Sequence, residues 1–206
     1  MNYVDQLIIR FPELAPQKDA INLSVKSIID CYKAGGKVLI AGNGGSSADC
    51  EHVSGELLKG FETTRPISND ELEKLSKYIP ESDARALQKG IPALPLTSLI
   101  GAITAFSNDV CYDLSFAQLV FALAKKEDVV LAISTSGNSK SVTSAAKVAK
   151  ALGVKTIALT GKTGGELAKV TDITVIAPAD ATYLVQEYHL PIYHAICAQV
   201  EREIFG

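Results

Sequence analysis

Three histidines occur in this 206-residue chain, and two of them stand beside groups with which an imidazole can do chemistry. His52 precedes Glu56 by four residues, so on a helix both side chains share one face, a turn apart. An imidazole and a carboxylate in that register can serve a divalent metal, because zinc accepts nitrogen and oxygen ligands. The same spacing also describes an ordinary surface pair. His189 and His194 lie near the C-terminus, with Gln186 one turn before His189, which adds imidazoles and an amide oxygen to the available donors. A lone helical histidine is more often packed or hydrogen-bonded than a ligand, and His189 reads that way. The second chemical feature is a pair of polar turns. One holds Ser134, Thr135, Ser136 and Ser139 within STSGNS; the other holds Asn43, Gly44 and Gly45 within GNGGSS. Glycine lets backbone N–H groups approach a ligand, and a helix N-terminus carries partial positive charge. Hydroxyl donors around such a terminus suit a phosphate group. The pattern is neither a Walker loop nor GxGxxG, and serine-rich turns also serve as plain helix caps.

Elements must hold these residues in place. Residues 37–41 (KVLIA) are a short apolar run ahead of GNGGSS, which predicts a buried parallel strand entering a glycine turn. Residues 129–133 (VVLAI) repeat the device, passing into STSGNS and the helical segment KSVTSAAKVAKAL. Two more strands are predicted at 154–159 and 173–177, the last preceding a long helix from about 182 to 203. Residues 17–34 place Ile21, Val25, Ile28, Ile29 and Tyr32 at helical spacing, ended by Gly35 and Gly36, and 46–58 is helical in composition. Strand, polar turn, helix, repeated, predicts an α/β fold: a three-layer sandwich whose central parallel sheet is flanked by helices. Ligands bind such sheets at the carboxyl ends of the strands, near a change in strand order, and both polar turns leave carboxyl ends. The chain reads as a single domain, 1–206, with an N-terminal helical segment over about 1–35 and a charged helical insertion over about 67–92. Within the insertion, Pro80 splits two short helices, Gly90 closes them, and Asn69 and Ser82 are candidate N-caps. It reads as a solvated insertion, a lid or an interface arm.

Composition narrows the function classes. The chain is 47% hydrophobic and 21% charged, which excludes a disordered protein. Its formal net charge of −3 argues against nucleic acid as a partner, since phosphate-backbone binding needs a basic surface. No apolar run reaches the roughly 18 residues of a membrane span, and the start of the sequence lacks the basic and small-residue marks of a secretory signal. A cytoplasmic location is expected. Cys31, Cys50, Cys111 and Cys197 form no CxxC pair and read as buried, small apolar side chains.

Together, GNGGSSADCEHVSGE, ITAFSND, ISTSGNS, TGKTGG and QEYHLPIYH resemble the sugar isomerase (SIS) family, and their order and spacing resemble its phosphoheptose isomerases. The resemblance runs from about residue 25 to the C-terminus, except 67–92. It implies a flavodoxin-like SIS domain that converts sedoheptulose 7-phosphate to D-glycero-D-manno-heptose 7-phosphate through an enediol, in heptose biosynthesis. It further implies one zinc ion per site on His52, Glu56, Gln186 and His194. Glu56 would then be the catalytic base and His194 its acid–base partner. Ser134, Thr135, Ser136 and Ser139 would hold the phosphate; Asn43, Gly44, Gly45, Asn108 and Asp109 would hold the sugar hydroxyls, with Glu56 and Gln186 also touching substrate. Other members of the family act on other sugar phosphates or serve as non-catalytic adaptors. Three positions depart from the family pattern: Gly60 where Arg is frequent (with Arg65 as a stand-in), Leu99 where Asp is frequent, and Tyr183 where an acid is frequent.

The proposed metal set carries a geometric problem. Gln186 and His194 are eight residues apart, about 12 Å along a straight helix. Either Pro191 kinks that helix or the ligands come from different subunits. The resemblance implies a homotetramer with sites at subunit interfaces, which favours the second, with D2 symmetry as the common arrangement for four chains. The apolar faces at Ile21, Val25 and Ile28 and at Ile192, Ile196 and Val200 are expected to meet partner chains as well as the protomer core.

Overall fold

Val38, Leu39, Ile40 and Ala41 are all fully buried, because each face of their strand is covered by helices. That is why the strand reads as an unbroken apolar run rather than an alternating one. The structure, a computed structural model, describes residues 2–206. Met1, included in the expected 1–206 domain, lies outside the described residues.

In chain order the elements are α1 (Tyr3–Arg10), α2 (Lys18–Lys33), β1 (Val38–Gly42), α3 (Gly45–Leu58), α4 (Asn69–Leu75), α5 (Glu81–Ala86), β2 (Ala93–Pro95), α6 (Ile100–Asp109), α7 (Ser115–Leu123), β3 (Val129–Ser134), α8 (Lys140–Ala151), β4 (Lys155–Gly161), α9 (Leu167–Val170), β5 (Ile173–Ala177) and α10 (Thr182–Phe205). The strands form one sheet in the order β2-β1-β3-β4-β5, and every pair is parallel. This is the flavodoxin-like order, whose switch point lies between β1 and β3. Val38 and Ile40 of β1 join Val129, Leu131 and Ile133 of β3 in a core under α1, α2, α3 and α10. Leu39, Ala41, Val130 and Ala132 face the other way, into a second core with α7 and α8. The three predicted layers are present.

The edge strand β2 was not predicted. It is three residues long and ends in Pro95, a residue tolerated at a sheet edge because no further strand needs its missing N–H. The 67–92 segment does contain two short helices, but their starts differ from expectation. Ser68, not Asn69, caps α4, in a reciprocal capping box with Glu71. Pro80, not Ser82, precedes α5. The expected use of two apolar faces also changes. Ile21, Val25, Ile28, Ile192, Ile196 and Val200 are all buried within the protomer, since α2 and α10 pack on each other and on the sheet. Exposed apolar side chains lie elsewhere, among them Ile9, Phe121 and Ile100, the last on α6, a helix with no buried residue.

Candidate active site

Helices α3 and α10 lie side by side and run in the same direction, and this places most of the candidate residues. At their N-terminal ends, Gly44 adopts φ +57° to turn the chain into α3. Gly45 follows, and a Cβ there would stand 2.2 Å from Gln186 Nε2, so only glycine permits that approach. About two turns further along, His52 Nε2 lies 3.2 Å from Glu56 Oε1 and 3.3 Å from His194 Nε2. Phe61 packs against the His194 ring at 5.5 Å between centroids. Burial, then the neighbouring His52, hold His194 below the ordinary imidazole pKa, while Glu56 and Glu62 act in the opposite sense.

The donor set has the chemistry of a metal site. Ligand atoms about 2.0–2.2 Å from a tetrahedral zinc lie roughly 3.3–3.6 Å apart, close to both contacts of His52. Glu56 Oε2 is buried with no hydrogen-bond partner, and among the described residues the one cation near it is the Lys59 ammonium, 3.8 Å away, too far to hydrogen-bond. The contacts nevertheless make a fork centred on His52 rather than a cage. Among the described residues, no group of three or more His, Cys, Asp and Glu is arranged to hold a metal ion by itself. Gln186 sits against Gly45, away from the fork, and α10 continues unbroken through Pro191.

The second polar region lies across the switch point. Ser134 ends β3, Gly137 turns at φ +66°, and α8 begins after Ser139 without a side-chain cap on its first N–H groups. Asn43, leaving β1, donates from Nδ2 to Ser139 Oγ (2.8 Å) and Ser141 Oγ (2.9 Å), tying the two polar turns together. Tyr112 donates to Asn43 Oδ1 at 2.6 Å. Ser136 Oγ accepts from Asn138 N–H, so it also shapes the turn. Asn108 and Asp109 sit exposed at the end of α6, Nδ2 of the first donating to Oδ1 of the second at 3.0 Å. Thr135 lies within the turn, and its carbonyl accepts from Gly161 N–H.

Comparison with known proteins identifies the family. The SIS domain family matches residues 91–201, and a second SIS domain family matches residues 2–90. The phosphoheptose isomerase of Akkermansia muciniphila is 34% identical over 196 residues, covering 95% of this chain and 92% of the relative. That of Citrifermentans bemidjiense is 38% identical over 193 residues, with 94% and 87% covered. This chain belongs to the phosphoheptose isomerase family. A solved phosphoheptose isomerase from Francisella tularensis superposes with a TM-score of 0.75 at 31% identity, over 97% of this chain and 95% of that one. The isomerase from Neisseria gonorrhoeae gives 0.72 at 28%, over 96% and 98%. The chain is therefore an isomerase with the SIS fold.

Within that family, the structure corrects one substitution and reveals several supporting residues. Arg65 is not a stand-in for the arginine absent at Gly60, because its side chain is fully buried and committed elsewhere. Its Nε pairs with Glu201 at 2.7 Å, and its other nitrogens donate to the carbonyls of Leu57 and Glu56. Glu201 also accepts from the N–H groups of Phe61, Glu62 and Thr63. Burial pushes the Glu201 carboxyl up, but these donors and Arg65 outweigh it and hold the group below its ordinary value of 4.5. This buried pair fastens the loop that carries Phe61 against His194. Leu99 stands at the N-cap of α6, where its side chain makes no capping hydrogen bond, and Tyr183 is 63% exposed at the start of α10. His189 is fully buried with Nε2 3.1 Å from the Thr160 carbonyl, and burial lowers its pKa, the packed role expected for it. The cysteines are free thiols, and three are buried as expected while Cys111 is only half-buried; burial pushes Cys31 to about 11 and Cys197 to about 12, so both stay neutral. Sequence reasoning misses Tyr193, which touches His52, and Asp49, which accepts from Tyr193, although Asp49 stands three residues before His52 on the same helix.

Proposed function

We propose that this protein converts sedoheptulose 7-phosphate to D-glycero-D-manno-heptose 7-phosphate, a step of heptose biosynthesis in the cytoplasm. It would act as a homotetramer of single SIS domains with shared sites. The observation that carries the reading is the meeting of His52, Glu56 and His194, brought from two helices to one point. Moving a carbonyl between C1 and C2 needs a base for a carbon-bound proton and an acid for the oxygens. Glu56 takes the proton from C1 of the ketose and returns it to C2, while His194 protonates the C2 oxygen and accepts the proton leaving the C1 hydroxyl. Ser134, Thr135, Ser136, Ser139 and the free N–H groups of α8 bind the phosphate. Asn43, Gly44, Gly45, Asn108 and Asp109 contact the sugar hydroxyls.

His52, Glu56 and His194 of one chain would hold a zinc ion, with Gln186 from a neighbouring chain completing the set. Bound there, the ion would supply Lewis-acid polarisation of the carbonyl. The exposed apolar α6 supports assembly, since a helix with no buried residue is stable mainly when a partner covers it. The test is incubation of zinc-loaded protein with sedoheptulose 7-phosphate, followed by NMR. Signals of the heptose aldose are expected. Turnover of a different sugar phosphate, with none of the heptulose, would replace this substrate by another, and Leu99 and Tyr183 are where such a change would originate.

A further inference from the structure

Behind His52, on the side away from Glu56 and His194, lies a polar contact that the isomerisation does not use. The Tyr193 hydroxyl is 3.0 Å from His52 Nδ1 and 3.3 Å from Asp49 Oδ1. Tyr193 is only 2% exposed, and its ring packs edge-on against both His52 and His194. A phenol has one proton to give, and here it has two acceptors within reach.

The direction of that proton decides what His52 can do. If the hydroxyl points at Nδ1, the neutral ring carries its own proton on Nε2, which then cannot bind a metal. If it points at Asp49, the phenolic oxygen must accept from Nδ1–H, and Nε2 is left with a free lone pair. Asp49 settles the choice. Its Oδ2 is buried without a partner, so turning the Tyr193 proton away from Oδ1 would leave a largely desolvated carboxylate with no donor. His52 Nδ1, by contrast, loses nothing, since it can donate, and Glu56, the acceptor 3.2 Å from Nε2, keeps the Lys59 ammonium 3.8 Å away as its partner.

We propose that Asp49 and Tyr193 are positioning residues, which keep the His52 proton on Nδ1 and hold Nε2 bare toward Glu56 and His194. The proposal rests on the reading of His52 as a metal ligand, and it adds the outer contacts that fix that ligand's tautomer and ring orientation.

Two measurements test it. In the zinc-free full-length protein, long-range 1H–15N NMR of the imidazoles should find the His52 proton on Nδ1. In Tyr193→Phe, which keeps the packed ring, it should move to Nε2, where Glu56 Oε1 can accept it. A proton on Nε2 in the wild type, or the same tautomer in both proteins, overturns the proposal. Competition with a chromophoric chelator then measures zinc. Tyr193→Phe and Asp49→Ala should each bind it about 10–100-fold more weakly, the usual effect of losing an outer-shell partner. Asp49→Asn, still an acceptor for the hydroxyl, should retain most of the affinity. Equal zinc affinity in the wild type and the two weakening variants also overturns the proposal. A wild type that shows the tautomer switch but binds no zinc would support the relay and sink the metal reading instead.

Discussion

The polar turn at 134–139 and the fork of His52, Glu56 and His194 are built in opposite ways. Residues 134–139 form a local structure: a strand end, a positive-φ glycine and a helix start, all within six consecutive residues. Asn43 then clamps it across the switch point. The fork brings His52 and Glu56 on α3 together with His194 on α10, 142 residues from His52, and a buried ion pair secures the loop beside it. A site made of consecutive backbone is prepared by local folding. One made of distant helices depends on tertiary packing, and so it should be easier to break from a distance.

The largest effect tests that dependence. Glu201→Gln removes the charge that holds Arg65 and the N–H groups of the 61–63 loop. Breaking one partner of a buried pair typically destabilises by about 3–5 kcal/mol. The pH dependence has a definite sign. Because the folded carboxyl titrates below 4.5, its contribution is complete above the unfolded value and is lost as pH falls through the folded one. Denaturant melts of wild type and Glu201→Gln should therefore differ fully above about pH 5 and converge in more acid solution. A pH-independent difference would mean that Glu201 acts by shape rather than by charge.

Next in size is chemistry at the fork itself. Glu56→Gln should leave the fold and the binding of inorganic phosphate intact while lowering turnover at least about 100-fold, as loss of a general base does. His194→Ala should behave alike and His189→Ala should not. Steady-state kinetics alongside phosphate titration by calorimetry separates the two regions. Near-normal turnover in Glu56→Gln would remove it as the base.

How much of this was legible in the sequence follows the same divide. The turns at Gly44 and at 134–139 were readable because glycine, hydroxyls and apolar strands signal their own local conformation. The four longer strands were found for that reason, whereas β2, three residues ending in proline, carries too little pattern. The His52–Glu56 face was visible from i,i+4 spacing, but nothing local announces that Tyr193 and Asp49 stand behind His52, or that Glu201 reaches Arg65. Arg65 reads in sequence as a stand-in for the arginine absent at Gly60, and nothing local announces that its side chain is fully buried. Two apolar stripes, expected to meet partner chains as well as the core, meet the core alone, because a stripe shows only that a face is covered, not by what.

A smaller change at the local site sharpens the comparison from its other side. Ser134→Ala deletes one hydroxyl at the end of β3 and leaves the α8 N–H groups in place. A hydrogen bond to a charged group contributes about 1.5–3 kcal/mol, so KM for the sugar phosphate should rise roughly 10–100-fold. Turnover at saturation should change little, because the fork is untouched. An equal fall in kcat with unchanged KM would place Ser134 in the chemistry and not in phosphate binding.

The smallest expected effect bears on whether the fork is complete in one chain. Gln186 lies against Gly45, about 10 Å along α3 from the level of His52, and α10 does not break at Pro191 to bring it closer. If Gln186 serves a neighbour's ion, His52→Ala and Gln186→Ala damage different chains of the same site. Each variant alone should be nearly inactive. Unfolded together and refolded as mixed tetramers, they should recover about a quarter of wild-type activity, because a random pairing places an intact His52 opposite an intact Gln186 in one site of four. Tetramers would be verified by light scattering before and after mixing. Were all ligands drawn from one chain, every site in every hybrid would carry one lesion, and mixing would restore nothing. Recovery near a quarter thus supports a site divided between subunits, while no recovery from well-formed hybrids means that His52 and Gln186 act within the same chain.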